Sequence, residues 1–357
     1  MTQGRGTGGL ASEREQRLAL TQLTVAYWRS GVLFAALRLG VFDALAEQPL
    51  TAHAVAARCG AARDHMTRLL NACVSLQLLE LVDGEYRNGR MASRFLVASG
   101  EHYLGGWVKF MADFYGAWGR LDEAVRSGSP VQDGLARLTA GEDYTRHMML
   151  AMHEYAMGPG RELVNRVVLT GRRRLLDVGG GTGAYSILLA QNHPGLEAVV
   201  FDLPAVVGIT RETVARYGLS DRITARAGNY HDDDLGTGFD VVLLSNMLHQ
   251  EDPETCLRLL RKAASALVDG GTLIVQLAFL NPDRVGPPWA VLLSLQVLLA
   301  YQGGRMYTTD DIVAMLPAAG FDGAEVQKGS LVAAESLILA TKAGVRGKPD
   351  KPPKGDR

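Results

Sequence analysis

Three groups of residues in this sequence have types and spacings that can do chemistry. The run Asp177-Val178-Gly179-Gly180-Gly181-Thr182-Gly183 follows apolar Leu175-Leu176 and precedes a helical pattern from Ala184 to Asn192. Such a strand–loop–helix lets a ligand approach the main chain closely, because Gly179, Gly181 and Gly183 have no Cβ and tolerate tight turns. Asp202 ends the next apolar run, one β-α-β unit later. That spacing brings its carboxylate to the same sheet edge, where an acid can bind the two hydroxyls of a ribose. His249 follows the run Val241–Ser245, at an edge where ligands bind in parallel sheets. Its imidazole, with an unperturbed pKa of about 6.5, can accept a proton near neutrality.

Each group also has a plainer reading. Gly179, Gly181 and Ala184 fit the relaxed dinucleotide pattern G-x-G-x-x-A, which leaves a nicotinamide-dependent oxidoreductase open. Asp177 weighs against it, since an acid sits poorly beside a pyrophosphate but well beside a cationic amino-acid cofactor. On the plainer reading, His249 only caps or packs near the following helix. However, Asp252-Pro253-Glu254 already supplies a good N-cap and a proline at the first helical position. The acids of His231-Asp232-Asp233-Asp234 suit a hard cation, but they lie in a polar stretch between strands and read as a solvated loop. No metal site is expected.

These residues must be positioned by two kinds of chain. From Glu13 to about Gly171 apolar residues recur at helical spacing. From Arg174 to Lys342 short β-branched runs alternate with helical segments, the pattern of a parallel sheet with crossover helices. The expected strands are Leu175–Val178, Ala198–Asp202, Ile223–Ala227, Val241–Ser245, Thr272–Leu277, Ala324–Gln327 and Ser336–Thr341. Leu50 to Phe95 reads as a winged helix: Thr51 caps a helix to Cys59, a second runs from Arg63 to about Leu79, and Asp83-Gly84 turns a hairpin. As a DNA reader this unit is poorly equipped, because its second helix offers only Arg63 and Arg68 as permanent cations. A dimerising or structural role is therefore expected, with a ligand-sensing transcription regulator as the competing class. Ala19 to Leu45 is broadly apolar and carries Tyr27, Trp28, Phe34 and Phe42. It needs cover either from another subunit or from the chain's own core.

Composition agrees with this outline. The 357 residues are 47% hydrophobic and 21% charged with a net charge of −1, which excludes a mostly disordered chain and disfavours a dedicated nucleic-acid binder. Cys59, Cys73 and Cys256 are odd in number and lack C-x-x-C spacing, against a disulfide scaffold or a zinc site. Both tails, 1–12 and 344–357, have little to bury. The apolar stretch Ala290–Tyr301 is too short to span a bilayer, and a soluble cytoplasmic protein is the simplest expectation. The remaining divisions are expected at 13–100 for the winged helix, 101–171 for a helical pocket region and 172–343 for the ligand-binding sheet.

Asp177–Gly183, Phe201-Asp202-Leu203-Pro204, Leu248-His249 and Asp269-Gly270-Gly271-Thr272 together resemble the S-adenosylmethionine-dependent small-molecule O-methyltransferases. More narrowly, the chain is similar, from about Leu20 to Lys342, to the branch with an N-terminal winged-helix dimerisation domain, found in plant phenolic and bacterial antibiotic-tailoring enzymes. The resemblance implies an α/β, Rossmann-like class I sheet of seven strands, the last antiparallel, and a homodimer with interlocked N-terminal helices. It implies S-adenosylmethionine as cofactor and a small aromatic or polyketide-like acceptor, with no nucleic-acid or membrane partner. Carried over by position, Asp177, Gly179, Gly181 and Gly183 would hold the methionine end of the cofactor. Asp202 with Leu203 would hold the ribose, and Asn229 and Tyr230 would lie beside adenine. Ser245 stands where plant members have a cofactor-contacting Lys. His249 would be the general base.

Met148 matches a family Met near cofactor and acceptor. Asn246, Met306 and His153 are further acceptor-side candidates, with an ordinary interface or core histidine the plainer reading of His153. Trp107, Phe110 and Phe114 could wall a pocket for a flat acceptor or simply pack a core. The departures from the family lie around the base: Gln250 and Glu251 replace an Asp-Trp pair, and Gln276 and Met306 replace two flanking Glu residues. A C- or N-methyltransferase, or a relative that uses the cofactor otherwise, therefore stays open.

Overall fold

The computed structural model describes residues 12–139, 141–329 and 335–344. The two expected tails thus lie outside the described residues except for Ser12 and Gly344. The chain divides between Ala112 and Asp113 into two compact units.

In the N-terminal unit, Ser12 and Glu15 form a reciprocal capping box that starts the helix Glu13–Thr24. Helices Tyr27–Arg38 and Val41–Ala44 follow. Thr51 accepts a hydrogen bond from the Ala54 amide and so caps Ala52–Arg58. The next helix, Arg63–Ser75, turns Met66, Leu70 and Cys73 inward. Strands β1 (Leu79–Val82) and β2 (Glu85–Asn88) pair antiparallel. Their turn takes positive φ at both central residues, 51° at Asp83 and 81° at Gly84, which matches the twist of a tight hairpin. Phe42, Val55, Met66, Leu70, Leu79 and Tyr86 share one core, so the helix–helix–hairpin order of a winged helix packs around a single centre. The first helix buries none of its residues, and Leu18, Leu20 and Leu23 are exposed. The chain's own core therefore does not cover it.

The C-terminal unit is built on one sheet of seven strands: β3 (Arg174–Val178), β4 (Glu197–Asp202), β5 (Ile223–Ala227), β6 (Phe239–Ser245), β7 (Leu267–Leu277), β8 (Phe321–Gln327) and β9 (Ser336–Lys342). Their order is β5-β4-β3-β6-β7-β9-β8. β3 to β7 are mutually parallel, and β9 runs antiparallel to both β7 and β8. Side chains alternate between two buried faces. Leu176, Val242, Leu244 and Val275 face one core, and Leu175, Val241, Leu243 and Ile274 face the other. The order reverses between β3 and β6, so their carboxyl ends part around a crevice. The helix Glu142–Arg166 carries Met148 and His153.

Two strands, β7 and β8, begin well before their patterning implies. β7 starts at Leu267 opposite Phe239, but pairing resumes only at Thr272 opposite Val241, so Asp269-Gly270-Gly271 forms a bulge with Gly270 at φ 72°. β8 contains a similar register shift between Asp322 and Glu325, with Gly323 at φ 63°. Glycines that read as strand breaks are bulges inside strands. Among the described residues no helix is long and apolar enough to cross a membrane.

The central position of β7 carries a testable cost. Ile274, fully buried, should lose about 2–5 kcal/mol of stability on Ile274→Ala. Exposed Val285 should change by less than about 0.5 kcal/mol on Val285→Ala. Urea unfolding followed by fluorescence compares the two.

Candidate active site

The glycine loop leaves β3 with Gly179, Gly181 and Gly183 at φ 66°, 56° and 78°, a conformation that residues with a Cβ rarely hold. Gly180 has a different reason to be glycine: a Cβ there would stand 2.6 Å from the Asp177 carboxyl carbon. The loop is tied on every side. The Gly179 amide donates to the Phe201 carbonyl (2.8 Å), and the Gly181 carbonyl accepts from Thr210 Oγ1 (2.7 Å). His153 contacts Thr182 Oγ1 through Nδ1 (2.8 Å) and the Tyr217 hydroxyl through Nε2 (3.0 Å). With both ring nitrogens engaged, His153 braces the loop. Burial holds its pKa down at about 4, so the brace is neutral.

Asp177 is buried at the end of β3. One carboxylate oxygen accepts from Ser186 Oγ at 2.7 Å, and the other is buried without a partner. Burial pushes its pKa up to about 7, and the Asp202 charge adds to the rise. Asp202 is also pushed up by burial, against the pull of its two main-chain donors. Those donors are the Gly181 amide (2.8 Å) and the Leu203 amide (2.7 Å). Two buried acids therefore share one loop, and one keeps an unpaired oxygen. An arriving cation would satisfy it.

Beyond β5, Asn229 organises its own turn: its amide donates to Asp233 (2.7 Å) and its side chain to Asp232 (3.1 Å). Lys262 Nζ donates to the carbonyls of Tyr230, His231 and Asp233. The acids of this stretch thus hold loop backbone, and no metal-ligating cluster is present among the described residues. Tyr230 donates its hydroxyl to Glu251 at 2.6 Å, and His231 Nε2 lies 3.2 Å from the same oxygen. Glu251 ties the Tyr230 loop to the segment holding His249. Patterning gave no sign of this link, because it spans two loops that only the sheet brings side by side.

His249 lies on a short 3-10 turn, Leu248–Gln250. Its carbonyl accepts from the Arg305 amide at 2.9 Å. Nδ1 is buried without a partner, and burial brings the ring's pKa down to about 4. Ser245 Oγ donates to Gln276 Oε1 at 3.3 Å. Asn246, at φ 50°, turns its amide toward Glu335 (3.1 Å) and Tyr185 (3.4 Å). Glu335 also escaped sequence reasoning; its only signal is one acid directly before the apolar strand Ser336–Lys342.

The other candidates scatter. Met148 and Leu203 pack with Met149, Val206 and Ile209, and a Cβ at Gly181 would be 3.7 Å from Met149 Sδ, so this cluster borders the glycine loop. Met306 is buried in the core on one face of the sheet. Trp107 and Phe110, with ring centroids 6.1 Å apart, belong to the N-terminal unit. Phe114 belongs to the C-terminal unit, where Arg137 lies over both its ring and that of Tyr144.

Comparison with known proteins agrees with this geometry. Residues 118–322 match the O-methyltransferase domain, and residues 21–98 match the O-methyltransferase dimerisation domain. The chain belongs to the O-methyltransferase family. It is 33% identical to the 3-hydroxy-5-methyl-1-naphthoate 3-O-methyltransferase of Streptomyces sahachiroi, over 96% of this chain and 100% of that one. The L-tyrosine C(3)-methyltransferase of Streptomyces lavendulae is 32% identical over 87% of this chain and 88% of its own. Human N-acetylserotonin methyltransferase, solved in complex with SAM, superposes with a TM-score of 0.85 at 30% identity, covering 94% of this chain and all of that one. This protein is accordingly an S-adenosylmethionine-dependent methyltransferase acting on small molecules. The residues present fit the cofactor: the unpaired Asp177 oxygen suits its ammonium group, and the lone pairs that Asp202 keeps beyond its two donors suit a ribose diol.

Asp177 supplies a pH test. Its stabilising contribution is complete below the ordinary value of 3.8 and is lost as pH rises through about 7. Asp177→Asn should flatten the decline of Tm across that window in the cofactor-free protein and weaken S-adenosylhomocysteine binding in calorimetry. Parallel Tm profiles for the two proteins would contradict this assignment.

Proposed function

We propose that the enzyme transfers the methyl group of S-adenosylmethionine to a hydroxyl of a small aromatic or polyketide-like acceptor, with His249 as general base. The observation that carries this reading is a histidine at the carboxyl edge, beside the glycine loop's crevice, that burial keeps neutral. When bound, the cofactor supplies an electrophilic methyl group on a positively charged sulfur. The chain's own residues then have two tasks: aligning the acceptor oxygen and taking its proton. A direct displacement depends mainly on such alignment. Met247 bridges the two sites, since its Sδ lies 3.7 Å from where a Cβ on Gly179 would be and it adjoins the turn holding His249.

The weakness of the base supports the acceptor class. No carboxylate partners His249 Nδ1 among the described residues, and Gln250, Gln276 and Met306 stand where the family has acids. A pKa of about 4 leaves the imidazole deprotonated but weakly basic. Proton transfer to such a base is easiest from an acidic hydroxyl, such as a phenol or an enol, with a pKa near that of Tyr, about 10. Transfer to carbon is a second reading, favoured by the similarity to a tyrosine C-methyltransferase. A phenol ionised at His249 would also be activated at its ring carbons.

The match to a dimerisation domain and the exposed Leu18, Leu20, Leu23, Tyr27 and Trp28 support a homodimer. Light scattering should report twice the chain mass, and Leu20→Asp combined with Leu23→Asp should shift it toward one. A monomeric wild type would remove this part of the proposal.

His249→Ala should lower turnover at least about a hundredfold while S-adenosylhomocysteine still binds, with product identified by mass spectrometry over a panel of phenolic acceptors. Because the ring is deprotonated down to about pH 4, the acid limb of kcat/KM should fall well below 6.5. Near-normal turnover in the variant would refute the base.

A further inference from the structure

The turn that carries His249 is only three residues long, Leu248–Gln250, and among the described residues nothing partners Nδ1 of its imidazole. The direction of the ring therefore depends on how firmly the main chain beneath it is held. The turn's own hydrogen bonds are two, from the Gln250 amide to the Met247 carbonyl (3.0 Å) and from the Glu251 amide to the Leu248 carbonyl (3.1 Å). Such 3-10 bonds have poor geometry, and a single turn of them is weak without outside support.

That support comes from a segment more than fifty residues further along, residues 303–307. The Arg305 amide donates to the His249 carbonyl (2.9 Å), and the Tyr307 hydroxyl donates to the Glu251 carbonyl (2.7 Å). The Cys256 thiol lies 3.5 Å from the same hydroxyl and 3.4 Å from the Leu248 carbonyl. Carbonyls of the turn and of the residue after it are thus engaged from outside. The segment is itself fixed, because the Tyr307 carbonyl accepts from the Leu280 amide (2.8 Å) and Thr308 opens the helix Thr309–Ala319 with a capping box. Tyr307 is only 2% exposed, and burial pushes its pKa up, so its hydroxyl stays a donor. Contact is close as well: a Cβ on Gly304 would stand 3.1 Å from the His249 carbonyl oxygen and 2.8 Å from the Val297 side chain.

We propose that Tyr307 is a positioning residue for His249: its hydroxyl and the Arg305 amide clamp the main chain at the histidine and just beyond it, and so aim an imidazole that no side chain orients through Nδ1. Proton transfer depends on such aim, since a displacement of about 1 Å can cost a hundredfold in rate. The inference rests on the reading of His249 as base and adds what holds that base in place.

The test uses the full-length protein. Tyr307→Phe keeps the ring and removes only the hydroxyl. It should lower kcat on a phenolic acceptor about tenfold, while the acceptor KM and the affinity for S-adenosylhomocysteine change less than about threefold. In protein labelled with 15N-histidine, the His249 ring signals, assigned by their loss in His249→Ala, should shift or broaden in Tyr307→Phe. Gly304→Ala, whose methyl group presses on the same carbonyl, should also lower kcat, and it decides the matter if Tyr307→Phe does not fold. A variant that melts earlier but keeps its kcat and its His249 signals would overturn the proposal, as would a loss confined to cofactor affinity. The two possible failures are separable: near-normal turnover of His249→Ala removes the base itself, whereas low turnover there beside an unaffected Tyr307→Phe removes only the clamp.

Discussion

The burial of two carboxylates at one turn is the constraint on which the site depends. Asp177 and Asp202 end neighbouring strands, and desolvation raises both. Such a pair is expensive unless main-chain donors or a cation attend it. The glycine loop supplies the donors. Its left-handed residues turn the Gly181 amide onto Asp202, and the missing Cβ of Gly180 leaves room for Asp177 to lie over the main chain. His153, Thr210 and the Phe201 carbonyl then hold the loop from outside. One Asp177 oxygen stays without a partner, an arrangement that suits a cation.

The second half of the site follows a different logic. The crevice between β3 and β6 exists because the strand order reverses there, and the chain after β6 must turn sharply away. Asn246 makes that turn in a left-handed conformation, Met247 and Leu248 bury themselves beneath it, and His249 emerges on a short 3-10 turn. Among the described residues no acid partners the imidazole Nδ1. The chain instead places its acids one layer away: Glu251 anchors the Tyr230 loop, and Glu335 anchors the β6 exit. Both carboxylates brace the backbone on either side of His249.

Much of this was legible in the sequence because its signals are local. Glycines after a β-branched run, an acid one β-α-β unit later, Thr51 before a helix and Asp83-Gly84 between two strands are each decided within a few residues by sterics and capping. Strand edges were less legible where glycines form bulges: the start of β7 at Leu267 depends on pairing with Phe239, which no local pattern records. Sequence leaves His153 as an acceptor-side candidate or an ordinary interface or core histidine, and the structure adds its two-sided hold on Thr182 and Tyr217, partners 29 and 64 residues away in sequence.

The sequence by itself determined the class of fold and the glycine loop, and it singled out His249 as a candidate base, because periodicity, backbone freedom and side-chain chemistry are properties of short segments. Only the tertiary structure decided the electrostatics. Whether Asp177 titrates near 4 or near 7, whether His249 has a carboxylate beside it, and whether Glu335 is a surface acid or a buried anchor all depend on desolvation and on donors brought from distant strands. Those quantities are set by packing, and packing is complete only when the sheet is.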